Sequence, residues 1–316
     1  MAERHPKYLW WNGRQMPWED ATIHVTEIGW STVGAIFEGI RAYWNEEQGE
    51  LYVFRLPEHM QRFAQSMKLV RLDQEISTKD LCDAIVGLLK ANESREDTYI
   101  RPLAYRGGDG KSFSSFSSEA HILINTRPHP SHLLSGRAQN MGVSSWTRIS
   151  DNVMPPRIKN LSNYRNGQLA GMEAHYAGYD GPILLNTLGK VAEGSGSCLM
   201  MVRNGKLITP DPTSSILESI TRDALLTMAR DDLGVETEER MVDRTELYIA
   251  DEVFMCGTAA EITPVVSVDR YQVGDGKIGP VTHKLEQLFN DVLRGKTNKH
   301  ADWRTPVGFP SLVAAD

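Results

Sequence analysis

The chain has 316 residues, 41% of them hydrophobic and 24% charged, with a formal net charge of −7. That length suits two hydrophobic cores better than one, and lysines and arginines scattered along an acidic chain offer no basic face to nucleic-acid phosphates. No apolar run approaches the roughly 18 residues a membrane span needs, and the N-terminal "MAERHPKYLWWNG" lacks the apolar stretch of a signal peptide. In chain order, "KYLWWNGRQMPW" reads as a hairpin turning on Asn12-Gly13, and residues 51–54 read as a short strand. A helix is expected from Pro57, with Met60, Phe63, Met67 and Val70 on one face. Ser77 then serves as an N-cap, with Asp80 in capping-box position ahead of Leu81, Ile85, Leu88 and Leu89. "TYIRPLAYR" and "AHILIN" follow as strands.

Residues 126–136, "TRPHPSHLLSG", carry two prolines, a glycine and no periodicity, and read as a linker between domains. Beyond it, strands are expected around "MGVSSWTR", "GPILLN" and "SCLMMV", the last ending in a hairpin at Asn204-Gly205. A helix from about Ile220 to Leu233 stops at Gly234, "DEVFMCG" reads as a buried strand, and Thr282–Leu293 as an amphipathic helix. The expected fold class is α+β: a smaller domain over residues 1–125, the linker, and a larger domain over 137–316, with a cleft between them. Cys82, Cys198 and Cys256 are too sparse for a disulfide framework or a structural zinc site and suit a reducing cytosol.

Three stretches imitate known binding motifs. "GGDGKS" at 107–112 fails as a phosphate loop because the position five residues before Gly110 is Tyr105 rather than glycine. His129 and His132 are two ring ligands without a third, so no metal site is expected. "EGSGSC" is glycine-rich, but its glycine spacing matches no nucleotide fingerprint.

A different set of residues meets the demands of pyridoxal 5'-phosphate, a cofactor that needs a lysine amine, an acid beside its ring nitrogen, and an anion site for its phosphate. Lys159 follows a double proline, and Glu193 opens "EGSGS", where glycines let backbone approach a ligand. "LESITRD" (217–223) places the amides of Ile220 and Thr221 at the first turn of a helix, and Thr258 offers a hydroxyl after a strand. Each residue has an ordinary alternative: a surface lysine, a strand-end charge, a capped helix, a turn threonine. Residue chemistry leaves these open.

The segments "FEGIRAYW" (37–44), "HMQRF" (59–63), "YIRPL" (99–103), "KNLSNYRNGQLAGMEA" (159–174), "VAEGSG" (191–196), "LESITRDA" (217–224) and "DEVFMCGTAAEITPV" (251–265) occur in that order. Together they resemble the class IV aminotransferases, most closely the branched-chain amino acid aminotransferases, over about residues 8–295. The resemblance implies the two-domain fold type IV of pyridoxal-phosphate enzymes, the D-amino acid aminotransferase-like architecture. It implies Lys159 as Schiff-base lysine and proton shuttle, Glu193 on the ring nitrogen and Tyr164 on the ring oxygen. It further implies Leu217 on the ring face, and Arg62 with Ile220, Thr221 and Thr258 on the phosphate. Tyr99, Arg101, Thr258 and Ala259 would face the substrate carboxylate, with Phe37 lining the side-chain pocket.

The implied reaction moves an amino group between an L-branched-chain amino acid and 2-oxoglutarate in a cytoplasmic enzyme. The resemblance also implies at least a homodimer, with residues 107–115 reaching toward the partner's site. The chain departs from the family pattern at Ser31-Thr32-Val33 (usually His-Tyr-Gly), at Cys198 (usually asparagine) and at Ser219 (usually glycine). Thr32 keeps an (R)-selective amine or D-amino acid transaminase in play. A lyase of the same fold and a non-catalytic cofactor-binding homologue stand further off.

Overall fold

In the computed structural model, which describes residues 5–25, 28–72, 74–106 and 120–309, Asn12 and Gly13 adopt left-handed backbone with φ of 47° and 90°. They fold β1 (Tyr8–Trp11) back onto β2 (Arg14–Pro17) in the expected hairpin. After α1 (Ile28–Val33) come β3 (Ile36–Phe37), β4 (Ile40–Asn45) and β5 (Glu50–Phe54). The expected helix α2 (Leu56–Leu69) buries Leu56, Met60, Phe63 and Met67, while Val70 only caps its end. In α3 (Thr78–Ala91), Ser77 Oγ accepts from the Asp80 amide at 3.1 Å and the helix buries Leu81, Ile85, Leu88 and Leu89. The long strands β6 (Thr98–Arg106) and β7 (Ala120–Pro128) pair antiparallel. Pro128 pairs with Thr98, so residues 126–128 belong to a ladder rather than to a linker. The stretches 107–112 and 107–115, singled out above, lie outside the described residues.

The second half opens with β8 (Gln139–Thr147), α4 (Tyr164–Tyr176) and β9 (Gly181–Leu185). Then come β10 (Val191–Gly194), β11 (Cys198–Arg203), β12 (Lys206–Thr209), α5 (Ile220–Asp231) and β13 (Thr237–Glu239). The chain continues through β14 (Glu252–Gly257), β15 (Glu261–Val268), β16 (Tyr271–Gln272), α6 (Pro280–Leu293) and β17 (Arg304–Pro306). Asn204 and Gly205, at φ 53° and 75°, turn β11 into β12 as their sequence suggests. The helix expected to reach Leu233 ends two residues earlier at Asp231, and Gly234 takes the left-handed turn beyond it.

The chain divides into two units. One comprises Met1–Ser131, Lys159–Ser162 and Asp291–Asp316; the other comprises His132–Ile158 and Asn163–Asn290. The first is built on an antiparallel sheet ordered β17, β5, β4, β6, β7, β1, β2, with β3 also on β6. Residues 159–162 fall in this unit for a plain reason. The Phe37 amide donates to the Lys159 carbonyl at 2.9 Å, Ile36 bridges Asn160, and the Leu161 amide donates to the Ala35 carbonyl at 2.9 Å. In the second unit, strands run β10, β9, β8, β15, β14, β11, and β10 pairs again with β11, so six strands close into a ring. Val191, Leu199, Met201, Val253, Met255 and Val265 are among its core. Among the described residues, no helix is long and apolar enough to cross a membrane.

Candidate active site

The first unit holds Phe37, Arg62, Tyr99, Arg101 and Lys159. Lys159 is half-buried, and its Nζ stands over the Phe37 ring, 4.8 Å from the centroid. Its backbone is stitched to β3 by the bonds just described, and its amide lies 3.4 Å from Ser66 Oγ on α2. A loop lysine thus acquires a defined position from its main chain, which the surface-lysine alternative would not require.

Arg62 takes part in an arrangement that sequence reasoning missed. Its guanidinium grips Glu38 in a fork, Nε on Oε1 and Nη2 on Oε2, both at 2.8 Å. The Glu38 side chain is fully buried, and His59 Nδ1 lies 2.8 Å from its Oε2. Burial alone would push the Glu38 carboxyl up, but the Arg62 charge and its hydrogen bonds, with help from His59, outweigh that and hold it at about 2. Burial pushes the His59 imidazole below its ordinary range; Glu38 opposes this, and the nearby charges of Arg62 and Lys159 add to it. Glu38 and Arg62 were visible inside "FEGIRAYW" and "HMQRF", Glu38 in the short link between β3 and β4. Nothing local paired them.

Tyr99 and Arg101 share one face of β6, whose alternate residues Thr98, Ile100 and Pro102 are buried. The Arg127 guanidinium sits over the Tyr99 ring at 5.2 Å, and the His129 ring meets it edge-on at 5.7 Å. Gly39 is required here: a Cβ at that position would collide with the Tyr99 hydroxyl. Thr32, at the last turn of α1, is exposed and its hydroxyl donates back to the Ile28 carbonyl at 3.3 Å.

The second unit holds Tyr164, Glu193, Leu217, Ile220, Thr221, Thr258 and Ala259. Glu193 lies on β10 at the ring closure, opposite Cys198, and is 4% exposed. Arg148 grips its Oε1 with Nη2 at 2.6 Å and Nε at 2.8 Å, and the Leu217 amide donates to its Oε2 at 3.1 Å. Arg148 also donates to Asn166 Oδ1 at 3.2 Å. Arg148 ends "SSWTR" with no local signal of its task. The Cys198 thiol lies 3.5 Å from the Leu217 carbonyl and 4.0 Å from Glu193 Oε2.

Tyr164 opens α4 and is half-buried; a Cβ on Gly196 would touch its ring at 3.5 Å, so the glycine leaves the tyrosine an ordinary packing surface. At Gly167 a Cβ would collide with the Ser195 carbonyl, which makes glycine the condition for α4 to approach the "EGSGS" turn. Ser219 caps α5, its Oγ accepting from the Arg222 amide at 3.2 Å, while Ile220 and Thr221 form the first turn. Thr258, Ala259 and Ala260 make the turn between β14 and β15. Of the histidine pair, the His129 carbonyl accepts from Arg41 and His132 pairs with Glu261. Among the described residues no group of three or more His, Cys, Asp or Glu could hold a metal.

The architecture is a known one. The chain is similar to the crystal structure of a branched-chain amino acid aminotransferase from Thermobaculum terrenum in its PLP form, with a TM-score of 0.94 and 52% identity over 96% of this chain and 99% of that one. It is also similar to a T.th. branched-chain amino acid aminotransferase complexed with N-(5'-phosphopyridoxyl)-L-glutamate, with a TM-score of 0.89 and 36% identity over 96% and 99% of the two chains. A probable branched-chain-amino-acid aminotransferase of Aquifex aeolicus is 41% identical over 300 residues, 95% of this chain and 96% of the relative. Residues 35–268 match the class IV amino-transferase family. By these likenesses the protein is an aminotransferase by class. The chain belongs to the class IV aminotransferases.

Proposed function

We propose that the protein is a pyridoxal-phosphate-dependent transaminase that moves an amino group between L-branched-chain amino acids and 2-oxoglutarate. The observation that carries this reading is the buried Glu193 carboxylate, fixed by Arg148 and the Leu217 amide. An acid so oriented, on a strand bordered by glycines, fits a protonated ring nitrogen better than it fits any structural need of β10. The remaining donors fit the group as well: the first turn of α5 offers an anion site, and Arg62 adds a cation whose direction Glu38 sets.

When bound, the cofactor supplies the electron sink that lets an amino acid lose its Cα proton. Lys159 would hold the cofactor covalently through Nζ and, once released, would take up and return a proton at that atom. Glu193 would keep the ring nitrogen protonated. Tyr164 would donate to the ring oxygen and Leu217 would cover one ring face. Arg62, Ile220, Thr221 and the Thr258 hydroxyl would hold the phosphate. Tyr99 and Arg101, with the amides of Thr258 and Ala259, receive the substrate carboxylate, and Phe37 borders its side chain.

The branched-chain substrate is supported by the relatives named above, and 2-oxoglutarate by the phosphopyridoxyl-glutamate adduct in the second of the two crystal structures. A cytoplasmic homodimer completes the reading. The sparse, widely spaced Cys82, Cys198 and Cys256 suit such a compartment. Incubation with L-leucine and 2-oxoglutarate should yield glutamate and 4-methyl-2-oxopentanoate in equal amounts. Activity confined to D-alanine or an (R)-arylamine would replace this assignment with the (R)-selective one.

A further inference from the structure

Glu261, the first residue of β15, is a non-glycine residue in left-handed backbone at φ 47°, and its side chain is fully buried. That conformation is unfavourable for a residue with a Cβ, so glycine would be the easier choice. What the carboxylate adds is a chain of contacts back to the Thr258–Ala260 turn. Its Oε2 accepts the His132 backbone amide at 2.8 Å and lies 3.0 Å from His132 Nδ1. His132 Nε2 lies 3.1 Å from Thr263 Oγ1, and the Thr263 hydroxyl donates to the Ala260 carbonyl at 2.7 Å.

The hydroxyl has one hydrogen, and Ala260 takes it, so Nε2 supplies the hydrogen of the contact with Thr263. The Nδ1–Oε2 contact then takes one more hydrogen, carried by the ring or by the carboxyl. A second buried carboxylate, Glu286 on α6, accepts the Leu134 amide, two residues beyond His132. The segment entering the second unit is thus pinned at both positions, and one pin leads directly to the turn.

We propose that His132, Glu261 and Thr263 are positioning residues, which set the Thr258–Ala260 turn so that its amides meet the substrate α-carboxylate. The inference rests on the assignment of Thr258 and Ala259 as carboxylate ligands. None of the three residues touches the reacting atoms, so their loss acts on carboxylate binding and leaves the proton transfer at Lys159 intact.

The test uses the holoenzyme and 4-methylpentanoate, a carboxylate with no amine to react, titrated by calorimetry. Thr263→Val keeps the shape and removes the hydroxyl. It should raise the Kd for 4-methylpentanoate about three- to tenfold, the worth of one hydrogen bond. The KM values for L-leucine and 2-oxoglutarate should rise in parallel, with kcat changed less than about twofold. His132→Gln, whose amide reaches the Nε2 position, should recover most of the affinity that His132→Ala loses. His132→Asn, which reaches only the Nδ1 position, should not. A Thr263→Val enzyme with unchanged Kd but a lower melting temperature would show a merely structural brace and overturn the proposal. Failure of the wild type to bind 4-methylpentanoate would instead remove the carboxylate assignment beneath it.

Discussion

At the scale of single residues, the two buried carboxylates gripped by arginines make different demands. Glu38 has a folded-state value of about 2 against 4.5 unfolded, so it is depressed, and its stabilisation is present above about 4.5 and lost as the pH falls toward 2. A depression of that size corresponds to about 3 kcal/mol. Chemical denaturation at pH 6 and pH 3 should therefore show a steep acid loss in the wild type and a shallower one in Glu38→Gln; equal slopes would deny Glu38 that role. Glu193 is proposed to face the cofactor's ring nitrogen. Glu193→Gln removes the charge assigned to that role. It should lower kcat by roughly 100-fold, the scale of a lost transition-state electrostatic contact. For Lys159, borohydride should fix cofactor covalently to the wild type and not to Lys159→Ala. Of these residues, Lys159 and Glu193 could be singled out as candidates because specific motifs surround them. Glu38 and Arg148 were not, since their partners lie 24 and 45 residues away and no local pattern announces a pairing made only in the folded chain.

At the scale of elements, one departure from the family pattern becomes understandable. Ser219 stands where glycine is commoner, and the structure uses its hydroxyl to cap α5 at the Arg222 amide. Ser219→Ala should cost about 1 kcal/mol, and Ser219→Gly only a few tenths. Calorimetry of both variants checks this ranking. Gly167 is the stricter requirement: Gly167→Ala places a methyl against the Ser195 carbonyl and must push α4 off the turn after Glu193, at a cost of roughly 1–3 kcal/mol. Helices α2 and α3 and both Asn-Gly hairpins followed directly from apolar spacing, caps and positive-φ turns. The end of β7 did not: "TRPHP" carries loop composition, yet long-range pairing with Thr98, Tyr99 and Ile100 draws its first three residues into the sheet. Composition alone cannot register a ladder whose other strand lies elsewhere in the chain.

At the scale of the whole molecule, each of the two units contains some of the residues proposed to act on cofactor and substrate. The pairing of β15 with β8 and the return of residues 159–162 to β3 are long-range events that periodicity does not encode. A cofactor that binds only the folded chain must stabilise it, by about 3 kcal/mol when present at about 100 times its Kd. The melting temperature should rise accordingly when pyridoxal 5'-phosphate is returned to the stripped protein, and Glu193→Gln should show a smaller rise. The central claim, a transaminase for L-branched-chain amino acids, is tested most directly by following the bound cofactor's absorbance as single amino donors are added. L-leucine should convert it rapidly and fully to the amine form, and 2-oxoglutarate should convert it back. Conversion by D-alanine or an (R)-arylamine, with none by L-leucine, would contradict the account.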